Sequence, residues 1–381
     1  MSTEVTLPVD KKESVVNSDP DTNQQTGKIN IKQLLSNMLA NEASDLHLKV
    51  PTGPVYRING ELSKHDPIQL TPQDVEDVFC QIATDAQKSA FYASNEVDFA
   101  YSIAGVARFR VNVHRQRGSL SMAFRMIPFH IPTMYELGLP NICKDLIMKP
   151  RGLIVVTGPT GTGKSSTLAA MVQHLNQNTN KMIITIEDPI EFLYNDENCV
   201  ISQRELGADT DSFASALKHA LRHDPDIIIV GEMRDLETTA TAVAAAETGH
   251  LVLGTLHTVD AAQTVDRLID IFPPTQQGQM RLQFSQILEA VICQTLIPKA
   301  SGQGRVAAFE VMLANTAIRN LIREGKTHEI TGTILLNRSI GMQTLDQNLA
   351  VLVNQGLIKR SDAMLKTSHP DVLTKMIDRP F

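Results

Sequence analysis

The run Gly158-Pro159-Thr160-Gly161-Thr162-Gly163-Lys164-Ser165 has the G-x-x-x-x-G-K-[ST] spacing of a phosphate-binding loop. Its glycines let successive backbone N–H groups turn inward around an anion at a helix N-terminus, and Lys164 adds a mobile cation. Ser165 carries a hydroxyl suited to Mg²⁺, and Thr160, Thr162 and Ser166 complete the expected ATP-binding set. Holding phosphate does not hydrolyse it: a water must be oriented and the metal held, which calls for acids at the ends of neighbouring strands. Glu187, in Glu187-Asp188-Pro189-Ile190-Glu191, follows the apolar run Met182 to Ile186 and is the first choice for polarising the attacking water. Glu232 follows Ile227 to Val230, with Gly231 where an aspartate is usual, and is expected to act on Mg²⁺ through its water shell. Which glutamate is the general base stays open, and solvated acids that merely end strands are the plain alternative. His257, after Leu251 to Gly254, could sense a γ-phosphate, whereas His250 is also explained as a cap on helix-end carbonyls. Arg108 and Arg110 alternate with Phe109 and Val111, which puts both cations on one strand face; with Arg115, Arg117 and Arg125 they could neutralise transition-state charge or simply be solvated. No His/Cys cluster has zinc spacing, and no G-x-S-x-G elbow is present.

The elements that must position these groups are legible as patterns. Leu153 to Val156 before the loop reads as a buried parallel strand, and Leu168, Met171, Val172 and Leu175 after it fall at helical spacing. Strands at 153–157, 182–186, 227–230 and 251–254 alternate with helices, so residues 151–272 are expected to form an α/β ATPase core with a parallel sheet. Residues 29–128 read as a separate α+β module. It has strands at 45–48, 55–58, 107–113 and 120–127, a hairpin at Asn59-Gly60, and helices at 31–41 and 72–92, the second capped by Thr71-Pro72. Pro128, Pro132, Pro140 and Pro150 mark 129–150 as a linker around a short helix. Residues 273–368, including 280–296 and 345–357, are expected to be a small helical bundle, with 369–381 as a tail.

The chain has 381 residues, enough for two domains, with 20% charged and 42% hydrophobic residues. No apolar segment approaches the ~20 residues that span a bilayer, and the polar segment 1–28 has no apolar core of a signal peptide, so it reads as a disordered tail. The net charge of −7 provides no overall basic field for nucleic acid. Cys80, Cys143, Cys199 and Cys293 are scattered without a C-x-x-C pair, which suits the reducing cytoplasm.

Taken in order, these motifs resemble the secretion-superfamily hexameric ATPases, and most closely the type IV pilus retraction branch, over about nine-tenths of the chain. Gly158 to Ser165 matches Walker A, Ile186 to Phe192 the Asp box, Gly231 to Asp235 Walker B, and Ala246 to His250 with Leu256 to Thr258 the His box. Ala317 to Glu324 and Gly341 to Asp346 resemble the retraction branch in particular. The resemblance implies a PAS-like N-terminal domain, a RecA-like ATPase domain and a homo-hexamer, with Arg110 and Arg125 as arginines that reach the phosphates. It also implies twitching motility, an inner-membrane pilus platform as partner with peripheral membrane association, and a paralogous retraction ATPase as a second partner. The paired-cysteine metal site of assembly ATPases is missing, which favours retraction; His114 to Gly118 is similar to the accessory retraction ATPases. The implied motor moves one domain against the other at the Pro-rich linker. Pilus-assembly or type II secretion ATPases, nucleic-acid motors and a non-hydrolysing scaffold are the alternatives.

Overall fold

The computed structural model describes residues 29–378 except 59, 65–68, 104–106 and 128–129. The tail expected at 1–28, Asn59 of the expected turn, and Pro128 lie outside the described residues. By contacts the chain divides into two units, one of the described residues up to Asp98 with Val111–Arg125, the other of Phe99–Arg110 with Met126 onward.

The first sheet and its helices follow from caps and alternation. Helix α1 (Ile31–Ala40) starts at Asn30, whose side chain accepts the Gln33 N–H, and buries Ile31, Leu34, Leu35 and Met38. Strands β1 (Asp45–Lys49), β2 (Thr52–Ile58) and β3 (Glu61–Lys64) form an antiparallel meander. The helix expected at 72–92 is two helices, α2 (Pro72–Ile82) and α3 (Asp85–Ser94). Ala83 and Thr84 are extended, and Thr84 opens a second capping box with Gln87 that stops one helix and starts the next. Strands β4 (Glu96–Ile103), β5 (Ala107–Gln116) and β6 (Ser119–Ile127) complete a sheet ordered β3-β2-β1-β6-β5-β4. On β5, Phe109 and Val111 are buried and Arg110 is exposed, as alternation requires.

The segment read as a linker is packed instead. Met134, Leu139 and, on α4 (Ile142–Ile147), Cys143, Leu146 and Ile147 are buried in a core shared with the phosphate-loop strand and helix. The stretch from Met134 to Ile147 is thus part of the ATPase core and not a free linker.

The phosphate-loop strand β7 (Gly152–Thr157) is buried on both faces. Ile154 and Val156 face the core that includes α4 and α5 (Lys164–Asn178), while Leu153 and Val155 face the opposite one. Each such side chain contributes roughly 1.5–3 kcal/mol on burial, which fixes the strand that launches the loop. Next come β8 (Met182–Glu187), β9 (Val200–Glu205), α6 (Phe213–Ala220), β10 (Ile227–Val230), α7 (Leu236–Glu247), β11 (Leu251–Leu256), α8 (Ala261–Asp270) and α9 (Pro274–Ile287). The stretch 280–296, expected to be helical, changes at Leu288 into β12 (Leu288–Pro298), which pairs with β13 (Arg305–Leu313). The sheet runs β13-β12-β7-β11-β10-β8-β9, with only β13 antiparallel, so the carboxyl ends of its parallel strands share one edge. Helices α10 (Thr316–Glu324), α11 (Ile330–Leu336), α12 (Leu345–Asn354), α13 (Arg360–Met364) and α14 (Pro370–Asp378) follow. The expected tail is therefore helical to Asp378, with Leu373, Met376 and Ile377 buried. Among the described residues no helix is long and apolar enough to cross a membrane.

Candidate active site

The loop between β7 and α5 is shaped by glycine. Gly158, Gly161 and Gly163 have φ of +144°, +79° and +88°, conformations that side chains resist, and Gly163 stands at the N-terminus of α5. Around this loop lies a cavity of about 400 Å³. Its walls include Thr160, Gly161, Gly163, Lys164, Ser165 and Ser166 from the loop, with Glu187, Glu191, Glu232 and His257 from the strand ends. The parallel sheet brings these together because β8, β10 and β11 all end at the edge where β7 launches the loop.

Lys164 is buried and donates to the carbonyls of Gly158 (2.8 Å) and Pro159 (3.3 Å), with His257 Nδ1 at 3.5 Å. His257 Nε2 lies 2.9 Å from Glu232 Oε1, and the other carboxylate oxygen of Glu232 pairs with Arg234. One imidazole thus bridges the phosphate-loop cation and the acid after β10. Burial lowers the Lys164 pKa, and the charges of Glu232 and Glu191 oppose that fall.

Glu187 is held differently. Its Oε1 accepts from Thr185 Oγ1 (2.6 Å) and Gln203 Nε2 (3.1 Å), and the nearby Glu191 backbone N–H favours its charged form. Burial raises the Glu187 carboxyl above the ordinary glutamate range against the pull of these bonds. Glu191 is exposed in the cavity wall. Gly231, which takes the place of an aspartate, has a packing reason: a Cβ there would lie 3.0 Å from the Ile186 carbonyl oxygen and 3.3 Å from Glu187 Cα. Asp235, next to Arg234, accepts the Thr238 N–H and caps α7.

His250 precedes β11, at the edge opposite the cavity, and its Nδ1 lies 2.9 Å from the Ala245 carbonyl, a cap on α7. Gly158, Thr162 and Arg110 do not line the cavity. Thr162 closes the loop on itself through Pro159, and Arg125 donates to Asp45 at 2.8 Å. Glu191, Leu296 and Arg305 line the cavity without having been singled out by spacing. Leu296 escaped because 280–296 fits a helix, and Arg305 because 273–368 reads as a helical bundle; the β-branched Val291-Ile292 and the Gly302/Gly304 turn ahead of Val306 are the signals of a hairpin.

Residues 133–364 match the family model described as "Type II/IV secretion system protein". The chain belongs to this family. Within it, the chain is 47% identical to the type IV pilus retraction ATPase PilT of Pseudomonas aeruginosa, over 90% of this chain and 99% of that one. It is 40% identical to the type IV pilus ATPase PilU of the same organism, over 91% of each. A crystal structure of the pilus retraction motor PilT with bound ADP aligns with a TM-score of 0.86 at 45% identity, covering 91% of this chain and all of that one. This secretion ATPase therefore lies in the pilus retraction branch of its family.

Proposed function

We propose that this chain is the ATP-hydrolysing subunit of a six-membered ring that drives type IV pilus retraction, working in the cytoplasm against an inner-membrane platform protein. The observation that carries the ATP chemistry is the line from Lys164 through His257 to Glu232, in one cavity with Glu187 and Glu191. The pilus assignment is supported by the relatives just described. Ser165 and Glu232 offer only oxygen donors in that cavity, and among the described residues no three His, Cys, Asp or Glu side chains form a metal cage. That donor set fits Mg²⁺ held partly by phosphate and water. Bound there, Mg²⁺ neutralises charge that builds up on the phosphates.

The chain's own residues divide the remaining work. Loop N–H groups at the α5 N-terminus and Lys164 hold the β- and γ-phosphates. Glu191, whose charge reaches Lys164, accepts the proton of the attacking water; Glu187, tied to Thr185 and Gln203, anchors the Glu191 backbone. This moves the base from Glu187 to Glu191. In the sheet β8 and β10 lie on one side of β7 and β12 with β13 on the other, so the nucleoside end is expected against Leu296 and Arg305. Arg110 and Arg125 act, in this reading, only within the assembled ring, where a second copy can supply them. Phosphate release by the purified protein tests the enzyme: Lys164→Ala should abolish it, while stimulation by DNA or RNA would transfer the chain to the nucleic-acid motors. The 40% identity to PilU favours a second reading, an accessory retraction ATPase. Restoring retraction alone, in cells lacking both paralogues, would sink that second reading.

A further inference from the structure

We propose that Gln294 is a positioning residue that holds the phosphate-binding loop in the shape that receives nucleotide. The inference rests on the ATP-binding reading above. The parallel pairing of β12 with β7 ends at Cys293 beside Thr157, which sets Gln294 next to Gly158, the first residue of the loop. Gln294 is 6% exposed, and its side chain makes two short hydrogen bonds. Nε2 donates to the Thr162 carbonyl at 2.6 Å, and Oε1 accepts from Thr167 Oγ1 at 2.6 Å. One planar amide thus clamps the loop to the first turn of α5. Thr162 O can only accept, so the amide orientation is fixed by the network.

The backbone of the same residue bears on the loop as well. A Cβ on Gly158 would lie 2.3 Å from the Gln294 carbonyl oxygen, and one on Gly163 would lie 3.0 Å from Gln294 Nε2. Glycine at both positions is what lets β12 press this closely. Without the amide, the buried Thr162 carbonyl loses its partner and is released to turn, and the peptide plane that carries the Gly163 N–H turns with it. The loop N–H groups would then no longer converge on phosphate, whereas Glu187 ends β8 and Glu191 and Glu232 lie beyond β8 and β10, so these acids would stay in place.

Gln294→Leu keeps the volume and removes both bonds. Its KM for ATP and its Kd for ADP should each rise about tenfold, equivalent to about 1.4 kcal/mol, with kcat within about twofold of wild type. Thr167→Val removes one bond and should raise both constants about threefold. Wild-type KM and Kd in Gln294→Leu, or a fall in kcat with both constants unchanged, would overturn the proposal. If Gln294→Leu does not fold, Thr167→Val decides alone, and unchanged constants there overturn it too. The ADP titration separates this proposal from the enzymatic one, since wild-type protein that binds ADP but releases no phosphate refutes hydrolysis and leaves the loop test in force.

Discussion

Exchanging Glu191 for Gln removes the proposed base while keeping its size. A positioned general base contributes about 10²–10⁴-fold, or about 2.7–5.4 kcal/mol at 1.36 kcal/mol per decade. Glu187→Gln is the matched control. Its Oε1 accepts bonds of 2.6 Å from Thr185 and 3.1 Å from Gln203, and an amide oxygen can accept both. Each bond changes from charge-assisted to neutral, a loss of up to about 1 kcal/mol, offset by no longer burying a charge. The control should therefore fold normally and lose about tenfold in kcat, through a weaker hold on the Glu191 backbone. Steady-state phosphate release beside ADP titration reads the difference: Glu191→Gln should bind ADP like wild type and turn over at least 100-fold more slowly. Turnover by Glu191→Gln within tenfold of wild type, with Glu187→Gln inactive, would refute this reasoning and return the base to Glu187.

Gly158→Ala must place a Cβ at φ +144° against the Gln294 carbonyl and Thr162 Oγ1. The forced conformation alone costs about 1–3 kcal/mol, so we expect a lower melting temperature and loss of ADP binding; a variant that binds like wild type would contradict the close packing of β12 on the loop. Burial raises the Glu310 carboxyl above its ordinary range, so the folded protein keeps a proton that the unfolded chain has released, and stability falls as pH rises from the unfolded value through the folded one. Glu310→Gln can still accept the Ala261 N–H (2.8 Å) and should flatten that slope in melts taken upward from the ordinary glutamate range; a steeper slope would oppose the assignment. Arg319, on α10, donates to the Ser285 and Gln286 carbonyls (2.9 and 2.7 Å) and to Glu289 (2.9 Å). Arg319→Ala should cost about 1–3 kcal/mol in denaturant unfolding, and unaltered stability would mean that the arginine does not anchor the helix.

The phosphate loop was legible because its chemistry is local: glycines for inward N–H groups, one lysine, one hydroxyl, and flanking strand and helix periods. The strands that carry Glu187, Glu232 and His257 were legible for the same reason, being short apolar runs between turn signals. What was not legible depends on distant neighbours. The spacing at 280–296 suits a helix as well as a strand, and only the open slot beside β7 makes β12 a strand that delivers Gln294 and Leu296, with β13 pairing against it to bring in Arg305. Spacing puts Glu187, directly after its strand, ahead of Glu191, and only the bonds from Thr185 and Gln203, on β8 and β9, distinguish a tied carboxylate from an exposed one. Four prolines between 128 and 150 look like a linker until Met134, Leu139 and Cys143 find a core to enter.

The central claim, that ATP turnover at Lys164 powers retraction of surface filaments, is tested most directly by replacing the chromosomal copy with Lys164→Ala and following labelled pili in living cells. The account predicts cells that keep or accumulate pili and no longer shorten them. Cells that lose all their pili would contradict it and assign the chain to assembly.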